Sequence, residues 1–397
     1  MEKNNESSGD FILLGFSDWP RLEMVLFVVN MVFYFLAVTG NSTIIFLSLA
    51  DLRLHTPMYF FLSNLSLLDL CYTTSSIPQL QVNLWGPRKT ISFVGCVIQL
   101  FAFLSVGGIE CILLSVMAYD RFVAVCKPLH YLTIMHPRLC LKLAAFAWLS
   151  GIANSILMSP LTMSLGRCGH RRINHFVCEM PAIIRISCVD TSRVEGLAFF
   201  LAIPIVLVPL TMILVSYGYI AAAVLRIKSA AGRRKAFNTC SSHMVVVSLF
   251  YSTIIYMYMQ PGKVASQDQG KFLTLFYCLV TPTLNPFIYS LRNKDMKAAM
   301  LKVLGKDRSL LDARGTDGAW NSPQVFTHLR TVVNDNGNKL MMVKTWGLVF
   351  QRFQTSDMYY CLQGIALHVI GGMWLLAKDN KLTGRGTQLS FCTKRRQ

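Results

Sequence analysis

Charge is what this chain has least of. Only 15% of its 397 residues are Asp, Glu, Lys or Arg, where a soluble globular chain carries roughly a quarter, and 53% are hydrophobic. The deficit argues for a protein of the membrane. Acid is the scarcer sign: 20 Asp and Glu stand against 38 Lys and Arg, for a formal net charge of +18. A surplus of that kind suits nucleic acid when the cations form one stripe interleaved with aromatics. Here they fall in the gaps between apolar runs, as topology signals do, so the expected partner is the lipid bilayer and not a nucleic acid.

Several motifs are also missing. The chain has no glycine loop to cradle phosphate, no HExxH pair and no GxSxG elbow, so no enzyme is expected. It shows no paired repeats with helices broken at matching positions, the mark of secondary transporters. A multi-span transporter of a small solute remains the competing membrane class. The start, Met1 to Trp19, lacks the basic segment and short apolar stretch of a removable signal peptide. It is mildly acidic through Glu2, Glu6, Asp10 and Asp18, and Asn5 opens a glycosylation sequon with Ser7, which fits an external tail.

What is present is a series of apolar runs near the length of about 20 residues that crosses a bilayer. They lie at Leu22 to Ala50, from Leu54 past Leu70, Cys96 to Met117, Leu141 to Leu161, about Gly196 to Leu225, Lys235 to Met259 and Phe272 to Leu291. The loops near Arg53, from Arg121 to Lys142, from Arg226 to Lys235 and from Arg292 to Lys302 share one side. The amino terminus, the cysteine-bearing loop and Gln260 to Lys271 share the other. The positive-inside bias then gives seven spans with the amino terminus outside. Lys294 to Leu304 sets Met296, Ala299, Met300 and Val303 opposite Lys294, Lys297 and Lys302, the period of a short helix lying in the interface.

Certain polar residues stand out against this background. Asp69 and Glu110 lie inside apolar runs, where a carboxyl needs a partner, a proton or a cation. Asp120 and Arg121 sit side by side at the end of the third run, which makes them a candidate functional pair. Asn41 interrupts the first run; it bonds its own helix backbone or a neighbouring helix. Cys71, Cys111, Cys240 and Cys278 fall in or beside apolar runs and act as small hydrophobes. Cys96, Cys168, Cys178 and Cys188 fall in external segments and can oxidise, with three pairings open.

Four stretches carry a resemblance. MAYDRFVAVCKPLHY, Met117 to Tyr131, is similar to the end of the third transmembrane helix of rhodopsin-like (class A) G-protein-coupled receptors, and its second half resembles the olfactory receptor family. LHTPMYFFLSNLSLLDL from Leu54, KAFNTCSSHMVVVSLFY from Lys235 and the closing PTLNPFIYSLRN look like the same family. Phe122 stands where tyrosine is more common in these receptors, and Asn238 where serine is usual.

The resemblance covers about Phe11 to Arg308. It implies an all-α membrane protein, a seven-transmembrane helix bundle with a short amphipathic eighth helix. The expected divisions are an extracellular tail at 1–21, the receptor domain at 22–291, a cytoplasmic amphipathic helix at 292–305 and an atypical, poorly ordered tail at 306–397. Gly364 to Ala377 in that tail is apolar but too short to span.

The resemblance further implies a receptor of the plasma membrane, carboxyl terminus cytoplasmic, that binds small volatile odorants and activates a heterotrimeric G protein of the olfactory Gs type, raising cyclic AMP. Asp120 would hold Arg121 at rest, Tyr217 would swing toward that arginine, and Asn285, Pro286 and Tyr289 would form the Asn-Pro-x-x-Tyr element of the switch. Asn41 would bond the second and seventh helices, and Asp69 with Glu110 would form a polar core able to ligate sodium. Cys96 would pair with Cys178, and Cys168 with Cys188. The ligand pocket would be walled by Leu104, Gly107, Gly108, Ala202, Ile205, Tyr251, Ile254, Tyr258 and Cys278. Gly107 and Gly108 either widen that cavity or let helices pack closely. Tyr251 and Tyr258 offer hydroxyls, and with no evident fixed charge the pocket suits neutral or weakly polar ligands.

Overall fold

The computed structural model describes residues 10–87, 89–258, 267–290 and 294–303. Asn5 and the tail at 306–397, Gly364 to Ala377 included, lie outside the described residues. Among the described residues, seven long helices form a membrane bundle. They are α1 (Pro20–Ala50), α2 (Pro57–Trp85), α3 (Phe93–Cys126), α4 (Pro137–Met163), α5 (Ser192–Arg226), α6 (Ala230–Tyr258) and α7 (267–290). A shorter helix, α8 (Lys294–Val303), follows.

Proline starts three of these helices, at Pro20, Pro57 and Pro137, because a first-turn residue has no intrahelical use for the N–H that proline lacks. Ser92 and His136 cap α3 and α4 by accepting from the N–H groups of Gly95 and Leu139, both at 3.1 Å. Two helices change pitch inside the bundle: α5 has a π-helical turn at Ile203–Leu207, around Pro204, and α7 has one at Phe276–Val280.

On length and composition alone, α1, α3, α4, α5 and the segment Gly270–Tyr289 of α7 qualify as membrane spans. The other two long helices are too polar to do so by themselves. α2 carries Asp69, Thr73, Ser76, Gln81 and Asn83, all buried in the bundle, and α6 offers only the apolar stretch Cys240–Tyr256 after its basic first turns.

The central helix, α3, is buried along most of its length, whereas α1, α4 and α5 expose Val25, Phe35, Phe146, Leu149, Phe200 and Leu214. Lipid accepts such faces as readily as protein does, so apolar contact gives helices little reason to associate. Close backbone approach and polar bonds supply the reason instead. A Cβ on Gly151 of α4 would lie 2.5 Å from Ile109 Cγ1 and 2.6 Å from the Ser105 carbonyl oxygen on α3. Nearby, Ser155 donates to the Phe101 carbonyl at 2.7 Å, and Trp148 Nε1 donates to Asn64 Oδ1 of α2 at 3.0 Å.

The chain is not purely helical. At one end of the bundle, β1 (Phe11–Leu13) pairs antiparallel with β2 (Thr90–Ile91) and parallel with β3 (Arg172–Ile173), giving the order β2-β1-β3. Phe11, Leu13, Ile91 and Ile173 bury their side chains beneath it with Cys96 and Cys178. Gly15, at φ +54°, turns the chain so that Phe16 stacks on Phe176. Lys89 completes the attachment by donating to Ser17 Oγ at 2.9 Å and pairing with Glu23.

At the opposite end, Asp51 accepts from the Arg53 backbone and guanidinium at 2.8 to 3.1 Å, and Lys302 Nζ of α8 lies 4.0 Å away. The Arg53 bond holds the Asp51 carboxyl down at about 2. α8 buries Met296, Ala299 and Met300, the apolar side read from the sequence.

Replacing Gly151 with Ala should destabilise the protein by about 1–3 kcal/mol, the usual cost of forcing extra volume into a packed contact. Gly196→Ala, where a Cβ meets nothing within 4 Å, is the control and should not lower the melting temperature. Thermal unfolding of the two variants in lipid nanodiscs measures the difference.

Candidate functional site

Chemically distinctive residues lie in four levels along the bundle. At the basic end, Asp120 and Arg121 are both buried. Adjacent residues on a helix point about 100° apart, so they do not face each other. Asp120 Oδ1 instead accepts from the Tyr131 hydroxyl at 2.7 Å, and no Asp120–Arg121 ion pair forms among the described residues. The hold of Asp120 on Arg121 that the resemblance implied is not a direct bond here: the hydrogen-bond partner of Asp120 is Tyr131, in the short helix Tyr131–Ile134. Tyr217 of α5 bonds His243 Nδ1 of α6 at 2.8 Å and stacks on its ring, so it does not bond Arg121. Phe122 packs against Tyr219 of α5.

One level up is the polar core. Pro286 has no N–H, which leaves the Pro282 carbonyl, four residues earlier in α7, without its helical donor. Asn41 Nδ2 supplies that donor from α1 at 3.0 Å while also bonding Ala37 of its own helix. Both expectations for Asn41 are thus partly met, except that its bond outside α1 goes to α7 and not to α2. One turn on, Asn285 Nδ2 donates to both Asp69 oxygens, at 3.1 and 2.9 Å. Glu110 lies within Coulombic reach of Asp69. The side-chain oxygens Glu110 Oε1, Asn41 Oδ1, Asn285 Oδ1 and the Tyr289 hydroxyl are buried without partners among the described residues. Oxygen atoms of this kind suit a hard cation with its water, so Asp69 and Glu110 fit sodium chemically.

The expected pocket residues occupy the next level, but unequally. Leu104 and Gly107 of α3 are half-buried, and a Cβ on Gly107 would stand 3.2 Å from the Tyr72 hydroxyl. An added Cβ on Gly108 would approach Gly151 Cα at 3.3 Å and Ile205 Cγ2 at 3.5 Å. Both glycines therefore let a neighbour pack closely, Gly107 the Tyr72 hydroxyl of α2 and Gly108 the backbone of α4. Ala202 and Ile205 are half-buried; Tyr251, Ile254 and Cys278 are buried. The Tyr251 hydroxyl donates to the Cys111 carbonyl at 3.0 Å, so it is already engaged. The side chain of Tyr258 lies outside the described residues.

The sequence reading did not find a triad of rings beside Gly107. Tyr72, Phe103 and Tyr277 meet edge to face, with centroids 5.1, 5.8 and 6.2 Å apart. Aromatic residues are common in apolar runs, and nothing in their spacing singled these out.

The fourth level is the loop between α4 and α5. Bonds Cys96–Cys178 and Cys168–Cys188 tie it, the first to α3 and the second within the loop. Directly after Cys178, Glu179 is buried, accepting from Tyr277 at 2.8 Å and from Thr274 at 3.4 Å. The expectation that no fixed charge stands near the pocket is corrected here, because Glu179 and Lys271 are both buried at this level. A carboxyl in a loop outside the membrane-length runs reads as solvated, which hid Glu179. His175 Nδ1 accepts from the Val177 N–H at 3.2 Å, which leaves the ring proton on Nε2, 3.3 Å from Glu179 Oε1.

Burial raises Glu179 to about 7, although the Tyr277 and Thr274 bonds and the Arg185 charge oppose the shift. Burial, with the charges of Lys271 and Arg185, lowers His175 to about 3. The two groups act oppositely on stability. The raised acid stabilises the fold below about 4.5 and loses that contribution as pH rises through about 7. The depressed imidazole contributes above about 6.5 and loses it as pH falls toward about 3. Their slopes therefore oppose each other between about 4.5 and 6.5. Relative to the unmodified protein, Glu179→Gln should lose melting temperature on acidification through that window, and His175→Gln should gain it. Melting curves in nanodiscs across pH would show this, and equal slopes for both variants would contradict it.

A sequence model of the family described as "Olfactory receptor" matches residues 30–307. Olfactory receptor 2W1 of Homo sapiens is 60% identical over 305 residues, covering 77% of this chain and 95% of that protein. Olfactory receptor 2W3 of Homo sapiens is 60% identical over 307 residues, with 77% and 98% covered, and olfactory receptor 2C1 of Mus musculus is 57% identical over 305, with the same coverage.

Proposed function

The chain belongs to the olfactory receptor family of class A G-protein-coupled receptors, and from that membership we propose that it binds a small volatile odorant within the helix bundle and activates a Gs-type G protein, raising cyclic AMP. It is a multi-pass membrane protein and not an enzyme. Its proposed site is the plasma membrane, by its family membership, and the proposed orientation, amino terminus outside and carboxyl terminus in the cytoplasm, is supported by the cations at Arg53, Arg226, Arg233 and Arg234 falling in loops of one side. The proposed divisions are an external tail at 1–21, the receptor domain at 22–291, an interfacial helix at 292–305 and a cytoplasmic tail at 306–397.

The observation that carries the reading is the state of the basic end. Arg121 is buried at the mouth of the bundle, unpaired with Asp120, while Tyr131 holds Asp120 and His243 holds Tyr217. Each of those bonds joins α3 to its following segment or α5 to α6, so each must be remade if the mouth opens. A ligand drives that change only by binding the open form more tightly. Asn285, Pro286 and Tyr289 belong to the same switch, since α7 is weakened at Pro286 and Tyr289 has a buried hydroxyl ready for a new partner. A sodium ion, when bound, would be held by Asp69 and Glu110 and would supply countercharge there.

The pocket's mostly apolar wall of Leu104, Ile205, Ile254 and Cys278 favours neutral or weakly polar ligands. Asn5 is proposed as a glycan site.

Two measurements test this reading in cells. In an odorant panel with a cyclic AMP readout, Arg121→Ala should abolish the response with the protein still at the surface; an undiminished response would sink the assignment. The competing transporter class predicts accumulation of labelled solute with no G protein present. Truncation after Arg308 should leave the odorant response intact if the tail is dispensable.

A further inference from the structure

Asn30 stands on the inward face of α1. Its neighbours Val28, Val29, Met31 and Val32 are 40% to 58% exposed, whereas Asn30 itself is 0% exposed. An amide side chain carries two donor hydrogens and an acceptor oxygen, and each is costly to bury unmet. Among the described residues neither Nδ2 nor Oδ1 of Asn30 has a partner. Other asparagines of the bundle behave differently. Asn41 Nδ2 donates to the Ala37 carbonyl at 3.0 Å and Asn64 Nδ2 to the Phe60 carbonyl at 2.9 Å, each four residues back in its own helix. Asn30 makes no such bond, so its amide is turned away from its own backbone and into the seam with the next helix.

That helix is α2. Gln81 Nε2 donates to the Phe27 carbonyl of α1 at 3.2 Å. Only the NH2 end of an amide can donate to a carbonyl, so Gln81 Oε1 faces elsewhere, and it too is buried without a partner among the described residues. Phe27 lies three residues before Asn30, and a helical side chain leans over the turn that precedes it. Thr39 of the same helix shows the reach: its Oγ1 bonds the carbonyls of Phe35 and Leu36, four and three residues back, at 2.7 and 3.3 Å. Asn30 and Gln81 therefore flank one carbonyl, and no hydrogen bond joins the two side chains among the described residues. The π-helical turn Phe276–Val280 of α7 packs against both α1 and α2.

We propose that this seam is a hydration site: a bound water accepts from Asn30 Nδ2 and donates to Gln81 Oε1, and a second water, bonded to the first, donates to Asn30 Oδ1. Water is the occupant that the chemistry selects, because the atoms to be served include a donor and two acceptors. A cation would leave Nδ2 unmet, and an anion would leave both oxygens unmet. Buried waters settle where polar groups offer them two to four bonds, as these do. The site also answers a need of α1, whose exposed face lipid accepts as readily as protein does. The hydrated amides fasten its outer half to α2, as Asn41 fastens its inner half to α7.

Thermal unfolding in lipid nanodiscs tests the bridge. Asn30→Leu and Gln81→Leu should each lower the melting temperature by about 2–4 °C. The double variant should melt no lower than Gln81→Leu alone, because neither side chain then remains to be served. A cryo-EM map of the unmodified protein, which depends on no variant folding, should show solvent density within hydrogen-bond distance of Asn30 Nδ2 and Gln81 Oε1. A higher melting temperature for Asn30→Leu, additive losses in the double variant, or a map in which the two amides bond each other directly would overturn the proposal. None of these outcomes touches the receptor reading.

Discussion

A backbone carbonyl inside hydrocarbon must find a donor within the protein, because no water is there to supply one. Pro286 creates that demand at the centre of α7, and Asn41 meets it from α1 through Pro282. One turn on, Asn285 bonds Asp69 of α2. Three helices are thus joined by a proline that weakens one of them. The weak point of α7 is also the point where it is most strongly attached to its neighbours. Such a helix can bend only by trading these bonds for others, and the unpartnered oxygens nearby mark where others are available.

The lid at the strand end obeys a different constraint. It lies beyond the apolar spans, where its backbone could bond water, yet it is ordered by three short strands, two disulfides and a buried acid. Cross-linking Cys96 to Cys178 closes a loop with a sequence separation of 82 and, in the chain-entropy picture, removes about 4 kcal/mol of freedom from the unfolded chain. Glu179 extends that restraint to α7. The lid and the helix carrying Asn285 are therefore joined mechanically, through Tyr277 and Thr274.

Much of the bundle was legible in the sequence because the bilayer makes harsh demands on composition. Apolar length, loop cations and the acids at Asp69 and Glu110 follow directly from those demands. The sheet was not legible: Phe11, Ile12 and Leu13 form too short a run to announce a strand, and their partners lie in distant loops. The partner of Asp120 was hidden for a related reason. Arg121 is adjacent in sequence and of opposite charge, but helix geometry turns it away and brings in Tyr131 after a turn of chain. Glu179 escaped notice because burial is a property of the assembled lid: it lies outside the long apolar runs, and the short apolar stretch around it, from Phe176 to Ile184, is far below the length of a span. The glycines were legible as a pair, but which neighbour each admits, Tyr72 of α2 at Gly107 and α4 at Gly108, is set only by the assembled bundle.

The strand Phe11–Leu13 has one further consequence, for biosynthesis. It is made first, yet its parallel partner Arg172–Ile173 emerges only after α4 has been synthesised. Until then its apolar side chains have no permanent cover, and the sheet cannot nucleate locally as a hairpin would. Ribosomes thus complete four helices before this strand has both of its partners, which makes it among the last parts of the lid to fold.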